Sequence, residues 1–165
     1  MEGVQLSVNL SDFPLLVSRF NETARRGADM SPLMRDIAFL GENTTKARFN
    51  AGIGPDGAAW LPSLRAKETG GQTLIKSAQL RNSISSEHTA HTAAWGTNKI
   101  YAAVHQFGAV IRPVVANALK FFLPGIGFRT AQQVTIPARP YLGINKADQA
   151  DIADLGEAYF AEPWS

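Results

Sequence analysis

The stretch Val134-Thr-Ile-Pro-Ala-Arg-Pro-Tyr-Leu-Gly143 dictates where regular structure has to stop. Val134 and Ile136 stand two apart, on one face of a strand. Pro137 and Pro140 have no N–H to give to a ladder, so the strand breaks there. Upstream, Ile100-Tyr-Ala-Ala-Val-His-Gln-Phe-Gly108 places Ile100, Val104 and Phe107 at helical steps of four and three. That segment ends on a glycine able to take the left-handed conformation that closes a helix. A short helix, a broken strand and a strand pair with an apolar tip between them make a scaffold. Neither segment holds a catalytic device.

The same logic assigns the rest of the chain. Val4, Leu6, Val8 and Leu10 alternate with polar residues, the pattern of a half-buried strand. Ser11 or Asp12 caps a helix with Pro14 in its first turn; Phe13, Leu16, Val17 and Phe20 share one face, and Gly27 ends it. Ser31-Pro32 opens a second helix with Leu33, Ile37 and Leu40 on its core side, running to about Phe49 with a kink expected at Gly41. Leu74 to Ile84 is either a short helix capped by Ser77 or a strand and a turn. Ile84 to Trp95 reads as a hairpin reversing near His88 to Ala90, after which Asn98 caps the Ile100–Phe107 helix. Leu119, Phe121 and Leu123 form a strand, Pro124 to Gly127 turns it, and a partner returns through Val134 and Ile136. Asn145 opens a last helix with Asp148, Asp151 and Asp154 in its early turns and Ile152, Leu155 and Tyr159 on its apolar face. The expected class is α+β, a small antiparallel sheet with helices packed on one side and a projecting β-hairpin. All 165 residues form a single domain, long enough to close a core without staples.

Composition narrows the function classes. The absence of cysteine excludes a disulfide framework and thiolate metal sites. Charged residues are 18% of the chain, against about 25% in a typical domain, so part of the surface is covered by partners or the core is large. No signal peptide is read at the N-terminus. The apolar neighbourhood from 100 to 128 is broken by His105, Arg112 and Lys120, so no membrane contact is expected. A net charge of +2 comes from dispersed cations, which argues against DNA as the main ligand.

No chemistry assembles from the remaining motifs. Gly52-Ile-Gly-Pro-Asp-Gly57 lacks the Lys-Ser/Thr of a phosphate loop and reads as a Pro-Asp-Gly turn. His88 and His91 sit at a hairpin tip, where they point apart. His105 belongs at the core edge as a hydrogen-bonding residue, and no serine lies in a strained elbow that it could activate. No catalytic residue, metal or cofactor is expected.

One feature suggests binding. Phe121-Phe122-Leu-Pro-Gly-Ile-Gly-Phe128 sets four large apolar side chains around a turn, and neighbours on a strand face opposite ways. Either a helix or loop covers the second face, or Phe122, Ile126 and Phe128 form an exposed patch that meets another subunit. The second reading is preferred, with Phe121 beside the patch. Arg112, Arg129 and Arg139 flank it and could pair with aspartates on another copy's last helix. Trp60, beside Pro62, pins its loop to the body or touches a neighbouring subunit.

Four stretches in order resemble the phage virion morphogenesis family, the tail-completion proteins of Mu-like and related tailed phages. They are Pro55-Asp-Gly-Ala-Ala-Trp-Leu-Pro62, the Leu74, Ser77, Leu80, Ser83, Ile84 segment, Tyr101-Ala-Ala-Val-His-Gln-Phe-Gly108 and Ile136-Pro-Ala-Arg-Pro-Tyr-Leu-Gly143. Together they span roughly residues 30 to 145. The resemblance implies a non-enzymatic virion protein that completes or terminates the tail at the head–tail junction. It would be built as a homo-oligomeric ring, a hexamer in this family, located in the virion and in the host cytoplasm during assembly. Its partners would be further copies of itself, the tail tube protein and the neck or head-completion proteins, with DNA only as cargo through the lumen. The runner-up is a nucleic-acid-binding module using Arg25, Arg26, Lys46 and Arg48; a hydrolase using His105 is a distant third.

Overall fold

Pro32 in a first turn and Gly52 in the left-handed region (φ 70°) bracket the longest element of the computed structural model, which describes residues 13–123 and 127–165. The strand expected over Val4–Leu10 and the turn residues Pro124, Gly125 and Ile126 lie outside the described residues. Helix α1 (Pro14–Ala28) precedes α2 (Ser31–Ala51), which is continuous through Gly41. Met30, not Ser31, stands at the N-cap and makes no side-chain cap, while Asp29 Oδ1 accepts from Ser31 N at 3.0 Å. Gly41 has a packing reason instead of a kink. A Cβ there would fall onto the indole ring of Trp95, which lies directly on the helix.

Trp95 belongs to a hairpin of β1 (Ser85–His88) and β2 (Ala93–Gly96), paired antiparallel with Ser86 opposite Trp95. The hairpin lies across α2, where Ser86 Oγ donates to Glu42 Oε2 at 2.6 Å. Before it come α3 (Leu64–Thr69), capped by Ser63, and the single turn α4 (Gln79–Asn82), entered through positive φ at Leu74 (62°) and Ala78 (55°). The Pro-Asp-Gly stretch is a turn: Gly57 N bonds Gly54 O at 3.0 Å, Ala58 N bonds Asp56 Oδ1 at 3.0 Å, and Ile53 bridges Ala59.

Helix α5 (Ala102–Phe107) starts two residues later than its apolar spacing implies, with Tyr101 at the cap. Ile100 is 97% exposed and Phe107 is exposed as well; the residue turned inward is Ala102. Its smallness lets Tyr141 come close enough for the phenol to donate to Ala102 O at 3.2 Å. At Gly108 (φ 74°) a Cβ would lie 2.8 Å from Ala138 N and 2.9 Å from Ile136 O, so only glycine permits this approach.

The strands after Gly108 pair differently from expectation. Strand β3 (Ala109–Ile111) takes β6 (Val134–Ile136) as partner, whereas β4 (Leu119–Leu123) pairs with β5 (Gly127–Ala131). Gly127, with φ 91°, resumes extended structure directly after the turn, so β5 fills the place beside β4 and leaves Val134–Ile136 for β3. The β component among the described residues is therefore three two-stranded antiparallel ribbons, not one sheet, within an α+β fold.

Asn145 opens α6 (Lys146–Ala161) with a capping box: its side chain accepts from Asp148 N while Asp148 Oδ2 accepts from Asn145 N, each at 2.8 Å. Helix α6 packs on α2, and a short 3-10 turn (Glu162–Trp164) returns to α1. The main core is small: Phe49, Trp60, Leu80, Ile84, Ala102 and Tyr141, with Phe49 stacked between Trp60 (5.5 Å) and Tyr141 (5.0 Å). No helix among the described residues is long and apolar enough to cross a membrane.

Candidate assembly surfaces

Prolines deny residues 137–143 a ladder, so their backbone is satisfied by side chains instead. Gln106 Oε1 accepts from Tyr141 N and Leu142 N, both at 3.0 Å, and its Nε2 donates to Leu142 O at 3.0 Å. Trp60 Nε1 donates to Pro140 O at 2.8 Å. Arg48, buried on α2, reaches Tyr141 O (3.2 Å) and Gly143 O (2.7 Å) and pairs with the buried Asp148 carboxylate. Arg139 is equally internal: its N–H bonds His105 O at 2.7 Å and its Nε bonds Leu61 O at 2.8 Å. Trp60 thus pins its loop to the body, the first of the two roles read for it from the sequence, and Arg139, expected at a subunit joint, serves the chain's own framework. The sequence hid the role of Arg139 because its guanidinium donates to a backbone carbonyl 78 residues away.

The four cations of the nucleic-acid alternative are also engaged within the chain. Arg48 is buried as above. Lys46 Nζ contacts Glu42 Oε1 at 2.5 Å, and Arg25 contacts Glu22 at 2.7 Å, holding that carboxyl at about 2. Arg26 bonds Tyr159 O and Glu162, each at 2.7 Å, with its guanidinium over the Tyr159 ring. A phosphate at these positions would have to compete with these intrachain partners.

His105 is half-buried, and burial first, then the nearby Arg139 charge, lowers its pKa. It is Gln106, not His105, that forms the hydrogen-bonding hub at this edge; His105 Nδ1 is buried without a partner. No carboxylate orients the imidazole, and Tyr101 meets it edge-on at 6.0 Å. His88 and His91 are exposed on the β1–β2 hairpin and its turn, and no group of three metal-ligating side chains forms among the described residues.

The exposed apolar side chains are elsewhere. Phe122 and Phe128 are direct cross-strand partners on β4 and β5, their rings 5.3 Å apart and edge-to-face, at 58% and 80% exposure. Phe121 is half-buried on the opposite face, across from the exposed Arg129, whose guanidinium turns back to Phe128 O at 2.9 Å. Ile126 lies outside the described residues. The principal packing of β4 and β5 is with each other. The preceding link carries Val114 and Val115, each 96% exposed, which sequence patterning passed over because no period surrounds them.

A second apolar surface lies between α2 and α6. Phe39, Leu40, Leu155 and Ala158 floor a groove of about 520 Å³, rimmed by Asp36, Asp151 and Asp154. Phe39 is 60% exposed.

Comparison with known proteins agrees with an assembly role. A model of the phage virion morphogenesis family matches residues 12–161. The chain is 32% identical over 155 residues to Mu-like prophage FluMu G protein 2 of Haemophilus influenzae, covering 94% of this chain and 96% of that protein. No solved structure matches it. With both matches running nearly end to end, the chain belongs to the phage virion morphogenesis family and has a structural role in the phage virion.

Proposed function

We propose that this protein completes the phage tail, assembling as a ring that caps the tail tube at its head-proximal end and docks it to the neck. It acts by contact, without catalysis or cofactor. The observation that carries this reading is the Phe122–Phe128 pair, two large rings held into solvent on a hairpin that packs mainly on itself. Exposed aromatic pairs of this kind mark interfaces. A framework that fixes the 137–143 segment while leaving the hairpin to pack mainly on itself supports it. A ring needs a heterologous contact between two different patches, and a flat rim for the tube.

The test is the mass of the purified protein by light scattering, alone and with tail tubes. A closed oligomer, or binding confined to one tube end, supports the proposal. A chain that stays at 17.8 kDa and ignores tubes overturns it.

A further inference from the structure

The hairpin and the α2–α6 groove each set apolar side chains beside charge of opposite sign. On the hairpin, Phe122 and Phe128 project together and Lys120 lies two residues along the same face of β4, while Arg129 is exposed on the opposite face, across from Phe121. No acidic residue occurs on either strand. The groove has the opposite character, an apolar floor of Phe39, Leu40 and Leu155 under the carboxylates of Asp36, Asp151 and Asp154. Asp36 shares its charge with Arg35, while no cation of the described chain pairs with Asp151 or Asp154.

We infer that the groove is the socket for the hairpin of a second copy of this chain. Phe122 and Phe128 of one protomer enter between α2 and α6 of the next, and Lys120, on the same face, meets the carboxylates of Asp151 and Asp154 at the rim. The apolar centre excludes water and the charged rim fixes orientation. No described hairpin residue lines the groove within one chain, so Phe122 and Phe128 and the groove are separate patches. Repetition of such a contact runs head to tail and closes a ring when its rotation permits. The inference rests on the ring reading above and names its joint.

Charge exchange tests it. One variant carries Lys120→Glu, and the other carries Asp151→Lys and Asp154→Lys; all three positions are exposed. Each variant alone should fall to the 17.8 kDa monomer, alone and with tail tubes, under conditions where the parent assembles. An equimolar mixture should recover the parent's mass, because each altered plug then meets an altered socket. Either variant assembling alone like the parent, or a mixture that stays monomeric, overturns the joint and leaves tail completion standing. A parent that neither oligomerises nor binds tubes overturns both.

Should a charge variant lose its far-UV dichroism, the absence of cysteine provides a second assay. Phe128→Cys and Phe39→Cys chains, mixed and oxidised, should give a mixed cross-linked pair in at least tenfold excess over either self-pair. No excess overturns the joint.

Discussion

Arg48 on α2 and Asp148 on α6 form a buried ion pair, and the same guanidinium holds the carbonyls of Tyr141 and Gly143. One side chain thereby ties the two main helices to the irregular segment between α5 and α6. Removing one partner of such a pair leaves an uncompensated buried charge, a loss of about 3–5 kcal/mol. Arg48→Ala is expected to lower unfolding free energy by that amount in urea titrations. A loss under about 1 kcal/mol would mean that the segment is held by Gln106 and Trp60 alone.

Gly41→Ala sets helix propensity against packing. Propensity alone favours alanine by about 1 kcal/mol in a helix interior. Here the new methyl collides with the Trp95 ring, so the β1–β2 hairpin has to move off α2. Overpacking of this kind costs about 1–3 kcal/mol, and a lower melting temperature with altered tryptophan fluorescence is expected. Stabilisation would show that the hairpin does not sit on the helix.

Acidification should weaken the fold through His105. Burial favours its neutral form and the Arg139 charge reinforces this, so the folded pKa lies below the ordinary 6.5. The unfolded chain then binds more protons than the folded one as pH falls through 6.5 to the folded value, and stability declines over that window. Glu22, Asp29, Glu42 and Glu162 are all shifted downward from ordinary values of 4.5 or below, so they titrate at lower pH. His105→Asn should flatten the dependence of urea midpoints on pH in the window just below 6.5. An unchanged slope would remove His105 as its source.

At the hairpin, stability and assembly should separate. Replacing both Phe122 and Phe128 by serine removes a cross-strand pair worth about 0.2–1 kcal/mol, so the melting curve should barely move. Binding to tube ends, by contrast, should disappear. Loss of both together would make the rings part of the fold.

What the sequence disclosed, and what it concealed, follows from the range of the interactions. The Asn145 cap, the Pro55-Asp56-Gly57 turn and the hairpin reversing after His88 are local chemistry, visible in a few adjacent residues. The projecting Phe122 also followed from alternation alone. Helix α5 was misoriented because spacing of large apolar residues pointed to Ile100 and Phe107, whereas Tyr141 demanded the small Ala102 at its contact. The partner of Val134–Ile136 was set by a glycine that restarted a strand early. The link from Arg48 to Asp148 crosses one hundred residues and leaves no local mark on either side, and the groove it helps build was equally invisible.

Helix α1 is attached differently from the rest. None of its residues is buried, and it is held by Arg26 on the end of α6, Trp164 Nε1 on Thr23 Oγ1 at 3.0 Å, and the Phe20–Trp164 ring contact. These contacts lie at the helix's junction with the C-terminal turn, outside the cluster around Phe49. The amide hydrogens of Pro14–Ala28 should therefore exchange with solvent through a local opening far cheaper than global unfolding. Those of α2 around Thr45 and Phe49 should exchange only when the whole body opens. The chain thus has two thermal layers, a core that melts as one and an outer helix that can lift away while the core remains intact.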